Sequence, residues 1–420
     1  MSAFKCIIGA MNNVQKKDDE SFPEGFLWGA ASSSHQIEGG LKNNWTEWEE
    51  RNAKRLLKGS KRSGLSEENF LSNSIFSCDS FNHWQEDIKS LKEMKLNAYR
   101  FSVEWARVEP EEGVFSEEGI SYYVKLIKEL RRNNIEPLLT TWHWTVPTWL
   151  EAQGGVLSKC FVEKYLEYVE FLVARLGEDV KYWITINEPE SFAVSHLIGK
   201  WPPQHFDPFS FNKLYLHTFV EAHKKAYAII KKSNPETWVS IAKNCFYFST
   251  DCILLKPLLW FLRKYLVLSY LDRVKNHVDF LGINYYMYID PKILFMKKEE
   301  GQFSDMGWYM NPSKIYELLR DVYDRYRLPI VITENGLADE KDIHREWWLD
   351  ETFKALKRLN REGVDLRGYM HWSLLDNFEW DSGFWPKFGL VKIDSKSKER
   401  MVKKSGYYYR DLVVREMNSV

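Results

Sequence analysis

The chain has 420 residues, and its 58 Lys and Arg stand against 59 Asp and Glu, a formal net charge of −1. Such a balance supplies no field to hold a polyanion, which speaks against nucleic acid as a partner. The five cysteines (Cys6, Cys78, Cys160, Cys245 and Cys252) are few, odd in number and scattered, unlike a disulfide framework or a zinc site, and they fit a reducing compartment.

Residues 1–21 precede any strand pattern and read as an N-terminal extension. Their apolar patch, Cys6 to Ala10, is too short for a signal-peptide core, and Met11 offers an alternative start. Phe26–Ala31 then reads as an apolar run leading into Ser32–Gly40, followed by a helical stripe of Phe81, Trp84, Ile88 and Leu91. Asn97–Trp105 is strand-like, and Ile120, Tyr123, Val124, Ile127 and Leu130 return to helical spacing. Ile135–Trp144 is the next strand, before a helix marked by Phe161, Tyr165, Tyr168, Val169 and Leu172. Tyr182–Asn187 precedes a helix over 211–232, and Trp238–Tyr247 and Val278–Tyr286 are further strands. Ile315, Leu318, Leu319 and Val322 mark the helix before the apolar run Ile330-Val-Ile332. Leu349, Phe353 and Leu356 mark the helix after it, and Gly368–Leu374 precedes a C-terminal segment from about Arg400.

Eight β-then-α units with no linker between them predict an α/β fold, a single-domain (β/α)8 barrel over residues 22–415 with a short tail at 416–420. A doubly wound open sheet is the competing arrangement. It normally carries a glycine-rich phosphate loop after an early strand, and no G-x-G-x-x-G occurs here. Lys42–Ser74 and Asp381–Lys398 read as long loops shaping a pocket at the C-terminal strand ends.

The strand tips carry the chemistry in such a barrel. They run Gln36 and Glu38, Arg100, His143 with Trp144, Asn187 with Glu188, Asn284 with Tyr286, Glu334, and Trp372 with Glu379 and Trp380. Glu334 ends Pro329-Ile-Val-Ile-Thr-Glu-Asn-Gly336, either a catalytic strand tip or a turn at the edge of any strand. No H-E-x-x-H and no His/Cys metal spacing appears, so neither metal nor cofactor is expected. Two carboxylates on different strands among polar and aromatic groups point to cleavage of glycosidic bonds.

Five segments carry a family resemblance: Phe26-Leu-Trp-Gly-Ala-Ala-Ser-Ser-Ser-His-Gln-Ile-Glu-Gly39, Trp183-Ile-Thr-Ile-Asn-Glu-Pro189, Asp279-Phe-Leu-Gly-Ile-Asn-Tyr-Tyr286, Pro329–Gly336 and Trp372-Ser-Leu-Leu-Asp-Asn-Phe-Glu-Trp380. In this order they resemble the signature segments of glycoside hydrolase family 1, the retaining β-glycosidases. The resemblance implies that Glu188 is the acid/base and Glu334 the nucleophile, with carboxyl groups roughly 5–5.5 Å apart. It implies that Arg100 and Tyr286 contact the nucleophile, where a cation and a phenol would keep it ionised. Gln36, His143, Trp144, Asn187, Asn284, Glu379 and Trp380 match sugar-binding positions, Trp372 a platform beneath the sugar and Phe388 a wall. On chemistry alone Arg100 also fits a structural ion pair, and His143 a satisfied core histidine. Glu379 beside the sugar O4 and O6 would repel a phosphate, so the expected substrate is a terminal, unphosphorylated β-glucoside or β-galactoside. An inactive sugar-binding barrel and a polysaccharide-directed glycosidase remain alternatives.

The chain departs from the family pattern at Cys252–Tyr270, an apolar stretch broken by Lys256, Pro257, Arg263 and Lys264. It reads either as a helix buried against its neighbours or as an exposed apolar surface near the aglycone entrance. The second reading would favour hydrophobic aglycones or hold the protein at a membrane surface. No stretch has the length of uninterrupted apolar sequence that a membrane span needs, and the expected location is cytoplasmic.

Overall fold

The computed structural model describes residues 21–62, 73–202, 206, 209–296 and 303–418. Most of the N-terminal extension, including Cys6 and Met11, lies outside the described residues. Eight parallel strands form a closed barrel: β1 (Leu27–Ala31), β2 (Ala98–Ser102), β3 (Glu136–Trp142), β4 (Tyr182–Asn187), β5 (Trp238–Asn244), β6 (Leu281–Tyr285), β7 (Ile330–Asn335) and β8 (Leu366–Trp372). Each pairs with its neighbours in sequence, and β8 closes on β1 through the register Leu27↔Gly368 to Ala31↔Trp372. Closure removes the open-sheet alternative, and with it the sheet edges.

The strands are apolar on both faces because both faces are covered. Leu27, Ala98, Leu138, Ile184, Ala242, Val331 and Met370 fill the barrel interior. Trp28, Tyr99, Leu139, Trp183, Ile241, Ile330 and Ile332 face outward, against helices such as Glu117–Arg132, Phe161–Leu176, Ile315–Tyr326 and Arg345–Arg361. The predicted stripes are the buried ones: Ile120, Tyr123, Ile127 and Leu130 are all fully covered, and Ser116 caps that helix by accepting from the Gly119 amide.

Several segments differ from the expectation. Within Lys42–Ser74, read as a loop, Asn44–Arg62 is a helix whose Trp45 and Trp48 are fully buried; residues 63–72 lie outside the described residues. Its polar composition hides the apolar stripe that those two tryptophans supply. Within 381–398, Val391–Ile393 is a short strand that pairs antiparallel with Arg400–Val402 just beyond it. The last helix, Lys404–Met417, runs past residue 415, and Glu416 is buried and paired with Lys357 at 2.7 Å. The 252–270 segment is helical, Lys256–Leu262 continuing through π-type turns at Arg263–Leu268 into Ser269–Val274. It answers to both readings: Val267 and Tyr270 are buried, whereas Ile253, Leu254, Leu258, Trp260 and Phe261 are exposed. Among the described residues no helix is long and apolar enough to cross a membrane.

Candidate active site

Two irregularities in the barrel aim the glutamates. On β7, Ile332 pairs with Ile283, yet the next partner of Asn284 is Glu334, one residue further than strict pairing would give. Val331 points inward and Ile332 outward, so alternation alone would turn Glu334 towards the helices. The extra residue at Thr333 reverses the phase. Glu334 then meets the inward-facing Arg100, and Asn335 faces outward to accept from the Trp348 indole at 2.9 Å and the Tyr369 hydroxyl at 3.0 Å. A similar shift lies on β4, between the pairs Ile184↔Ser240 and Asn187↔Ala242, and it brings Asn187 inward just before Glu188.

The pairing of Asn335 with Gly336 reads from sequence as a turn, but Asn335 still belongs to the strand. Gly336 is required for a different reason. A Cβ there would lie 1.9 Å from the carbonyl oxygen of Trp372, so only glycine lets the end of β7 approach the end of β8.

Above these tips is a cavity of about 470 Å³, within the usual range for a small-molecule site. Of the thirteen site residues expected from sequence, His143, Trp144, Glu188, Tyr286, Glu334, Trp372, Glu379, Trp380 and Phe388 line it. Gln36, Arg100, Asn187 and Asn284 stand behind that lining and hold it. Glu38 does neither: it is buried against Arg107 and Tyr123, at 2.7 and 2.6 Å. Glu188, Trp144 and Trp380 have φ of 40°, 76° and 44°, left-handed conformations costing roughly 1–3 kcal/mol each for residues with a Cβ. Their clustering at one cavity marks it as a place where position is held against backbone preference.

Arg100 Nη1 donates to Glu334 Oε1 at 2.5 Å and Nη2 to Asn187 Oδ1 at 2.7 Å, both within a buried network. The Tyr286 hydroxyl donates to Glu334 Oε2 at 2.6 Å. Burial drives the Glu334 carboxyl upward, and Arg100, Tyr286 and Asn284 draw it back. Because the guanidinium is itself buried and paired to this carboxylate, the negative charge stays with Glu334. Glu188 has a different setting. It accepts from Asn284 Nδ2 at 2.8 Å and from Asn244 at 3.4 Å, with no cation paired to it among the described residues. Burial first, then the charges of Glu334 and Glu190, push it up to about 8. Two carboxyls at one site are thus driven apart, one ionised and one protonated near neutral pH.

His143 reads as the neutral form, since burial and the Arg100 charge hold its imidazole well below the usual range. Asn187 Oδ1 is taken by Arg100, so its Nδ2 donates to His143 Nε2 at 2.9 Å. That assignment leaves the proton on Nδ1, a buried donor with no protein partner. Gln36 Nε2 donates to the Phe378 carbonyl at 2.9 Å and to Glu379 Oε2 at 3.2 Å, and its Oε1 is likewise without a partner. Glu379 keeps an edge open to the cavity; desolvation by its walls, Glu334 and Asp381 push it up to about 8. His35, stacked on Trp380 at 5.3 Å, is fixed by Glu49 and Asn43, and Trp45 packs on the same indole at 4.7 Å.

Several site residues escaped the sequence reading. Asn244 is the tip of β5 and donates to Ser191 Oγ at 3.1 Å as well as to Glu188. The strand-tip rule would have found it had β5 not been read through to Tyr247. Glu190 and Lys243 form a fully buried pair at 3.0 Å beside the acid turn. Trp201, whose indole donates to Asp381 at 2.9 Å, comes from a loop with no periodic signal. Phe246, Phe248, Leu266, Met287 and Ile289 make an apolar wall. No group of His, Cys, Asp and Glu suited to a metal ion occurs among the described residues.

The family model of glycosyl hydrolase family 1 matches residues 18–249 and 269–418. Beta-glucosidase A of Thermotoga maritima is 31% identical over 456 residues, covering 96% of this chain and 98% of that protein. The human cytosolic beta-glucosidase is 28% identical over 90% of this chain and 95% of its own length. The structure of the beta-glucosidase from Thermotoga maritima in complex with deoxynojirimycin superimposes with a TM-score of 0.79 at 30% identity, covering 94% of this chain and 99% of that one. The same enzyme in complex with galacto-hydroximolactam gives 0.80 over the same shares. Matched along nearly its whole length, the chain belongs to glycosyl hydrolase family 1 and is a retaining β-glycosidase of the β-glucosidase type.

Proposed function

We propose that residues 22–415 form one catalytic unit that removes terminal, non-reducing β-D-glucosyl or galactosyl residues from unphosphorylated β-glycosides, preferring apolar aglycones. The observation that carries it is the pair of opposed carboxyl environments: Glu334 held by Arg100 and Tyr286, Glu188 pushed up to about 8. In the first step Glu188 gives its proton to the glycosidic oxygen while Glu334 attacks the anomeric carbon, releasing the aglycone and leaving a glycosyl ester. In the second, Glu188 takes a proton from water, which attacks the same carbon and frees Glu334. Trp372 serves as the platform under the sugar and Phe388 as a wall. The unpartnered His143 Nδ1–H and Gln36 Oε1 complement sugar hydroxyls, with Glu379 and Trp380 beside them.

The glycone reading draws support from the Thermotoga maritima enzyme, which accepts both deoxynojirimycin and a galacto-configured inhibitor. Discrimination against a 6-phosphate rests on the engagement of Lys200, a cavity-lining cation bonded to Asp381 at 2.9 Å; Glu379, pushed up to about 8, adds charge repulsion as pH rises through that value. An apolar aglycone suits the wall of Phe246, Phe248, Met287 and Ile289. The four described cysteines are free, and a cytoplasmic location is part of the proposal.

Glu334→Ala tests it. Turnover of an aryl β-glucoside should disappear, and added azide should restore it with formation of the α-glycosyl azide, since the small anion attacks from the side the carboxylate has vacated. Near-parental turnover in Glu334→Ala refutes the assignment. A parent protein that binds glucose mimics without hydrolysing any glycoside would favour a sugar-binding barrel. Faster hydrolysis of β-glucan than of aryl glucoside would favour a polysaccharide-directed enzyme.

A further inference from the structure

The family model leaves residues 250–268 unmatched, and this stretch carries several exposed apolar side chains together with one that lines the cavity, Leu266. Ile253 and Leu254 are 74% and 84% exposed and Leu258 is 53% exposed. Within the helix that follows, Leu255, Leu258, Leu262 and Leu266 recur at spacings of three, four and four residues, which places them on one face. The inner end of this stripe, Leu266, is part of the cavity wall together with Phe248 and Ile289. Leu255 and Leu262 are half-buried. At the α-helical rise the part of the stripe from Leu255 to Leu262 spans about 10 Å, and the π-type turn beyond it carries Leu266.

We propose that this stripe is an extension of the aglycone site, an apolar track for the alkyl chain of an amphiphilic β-glycoside. The inference rests on the β-glycosidase reading above. A sugar positioned between Glu188 and Glu334 directs its aglycone along the wall that holds Leu266, and the leucines continue that wall to the surface. The other exposed apolar groups of the helix are partly covered by the helix itself. The Lys264 ammonium lies over Trp260 at 5.0 Å, and Phe261 stacks on Tyr265 at 5.9 Å with an interplanar angle of 5°. Of the basic residues, Arg263 is bonded to Asp321 at 2.8 Å and Lys264 lies over the Trp260 face; Lys256 remains exposed, and one lysine is a thin cationic surface for an anionic bilayer. A track open on one side covers about half of each methylene. Each added methylene then raises kcat/KM by roughly twofold, against about fourfold for full burial.

The test is kcat/KM for hexyl, octyl, decyl and dodecyl β-glucosides below their micelle concentrations, with p-nitrophenyl β-glucoside as reference. From hexyl to decyl the value should rise roughly 16-fold, and Leu258→Asp and Leu262→Asp should each flatten the series while leaving the aryl glucoside within twofold. A flat series in the parent, or a slope that survives both substitutions, overturns the track. So does an unchanged slope accompanied by loss of binding to phosphatidylglycerol vesicles or by a change in sedimentation, which would assign the face to a bilayer or to a second copy. Absence of aryl glucoside hydrolysis in the parent would strike the catalytic reading instead. Retained aryl activity in the variants shows that they fold.

Discussion

Replacing Tyr286 with Phe removes one atom and leaves the ring. The ring packs near Trp308 and Phe388, with centroids at 6.0 and 6.3 Å, so the cavity keeps its shape. What is lost is the 2.6 Å hydrogen bond to Glu334 Oε2. A hydrogen bond to a charged group is worth roughly 1.5–3 kcal/mol. If that bond is needed to keep Glu334 ionised and aimed, kcat/KM should fall about 10- to 150-fold. The same loss should move the acidic limb of the pH–rate profile upward by about 1–2 units, because the phenol favours the ionised form and each unit corresponds to about 1.4 kcal/mol. Aryl β-glucoside kinetics across pH, with a thermal melt as control, read both effects. A decrease below twofold with an unmoved acidic limb would show that Arg100 alone sets the charge of Glu334, and the reasoning would fail.

Glu188→Ala should slow alkyl glucosides by about 10²–10⁴-fold, the usual contribution of a general acid, and activated aryl glucosides far less; equal losses on both would remove Glu188 from the acid role. Since Glu188 must be protonated for the first step, kcat/KM should decline as pH rises through about 8. The same carboxyl makes a stability prediction. Its value is 4.5 when unperturbed and about 8 in the fold, so between these pH values the folded chain holds a proton that the unfolded chain has released. The associated stability is complete below 4.5 and is lost as pH rises towards 8. Glu188→Gln removes that dependence, and its Tm relative to the parent should climb steadily across this window; parallel Tm curves would refute the raised value.

Much of the barrel was legible because its strands are short apolar runs ending in polar residues, and parallel strands buried on both faces have that composition. Ile330-Val-Ile332 followed by Thr333 and Glu334 is such a run, and Trp183–Ile186 before Asn187 and Glu188 is another. The helices showed themselves through stripes such as Ile120, Tyr123, Ile127 and Leu130. Both glutamates, Arg100 and Tyr286 could be named from motif and strand position alone. Runs of uniform apolarity carry no phase, however, so nothing in them tells which way Glu334 points. The extra residue at Thr333 and its counterpart on β4 are relations between strands, and pairing alone reveals them.

The same limit explains the other differences. Gly336 looked like a turn residue until the Trp372 carbonyl was seen to occupy the space of its Cβ. Asn244 reaches Glu188 because β5 ends three residues before Tyr247. The helix at Asn44–Arg62 is held by Trp45 packing on Trp380, a contact across more than 300 residues, with Trp48 against Trp45. By itself the sequence determined which residue types stand at which strand tips, since local composition and periodicity are written along the chain. Only the tertiary structure showed that Glu334 is bonded to Arg100 and Tyr286 while Glu188 is buried with no cation paired to it among the described residues, and that Leu266 lines the same cavity. Those properties depend on burial and on neighbours brought together by closure of the barrel.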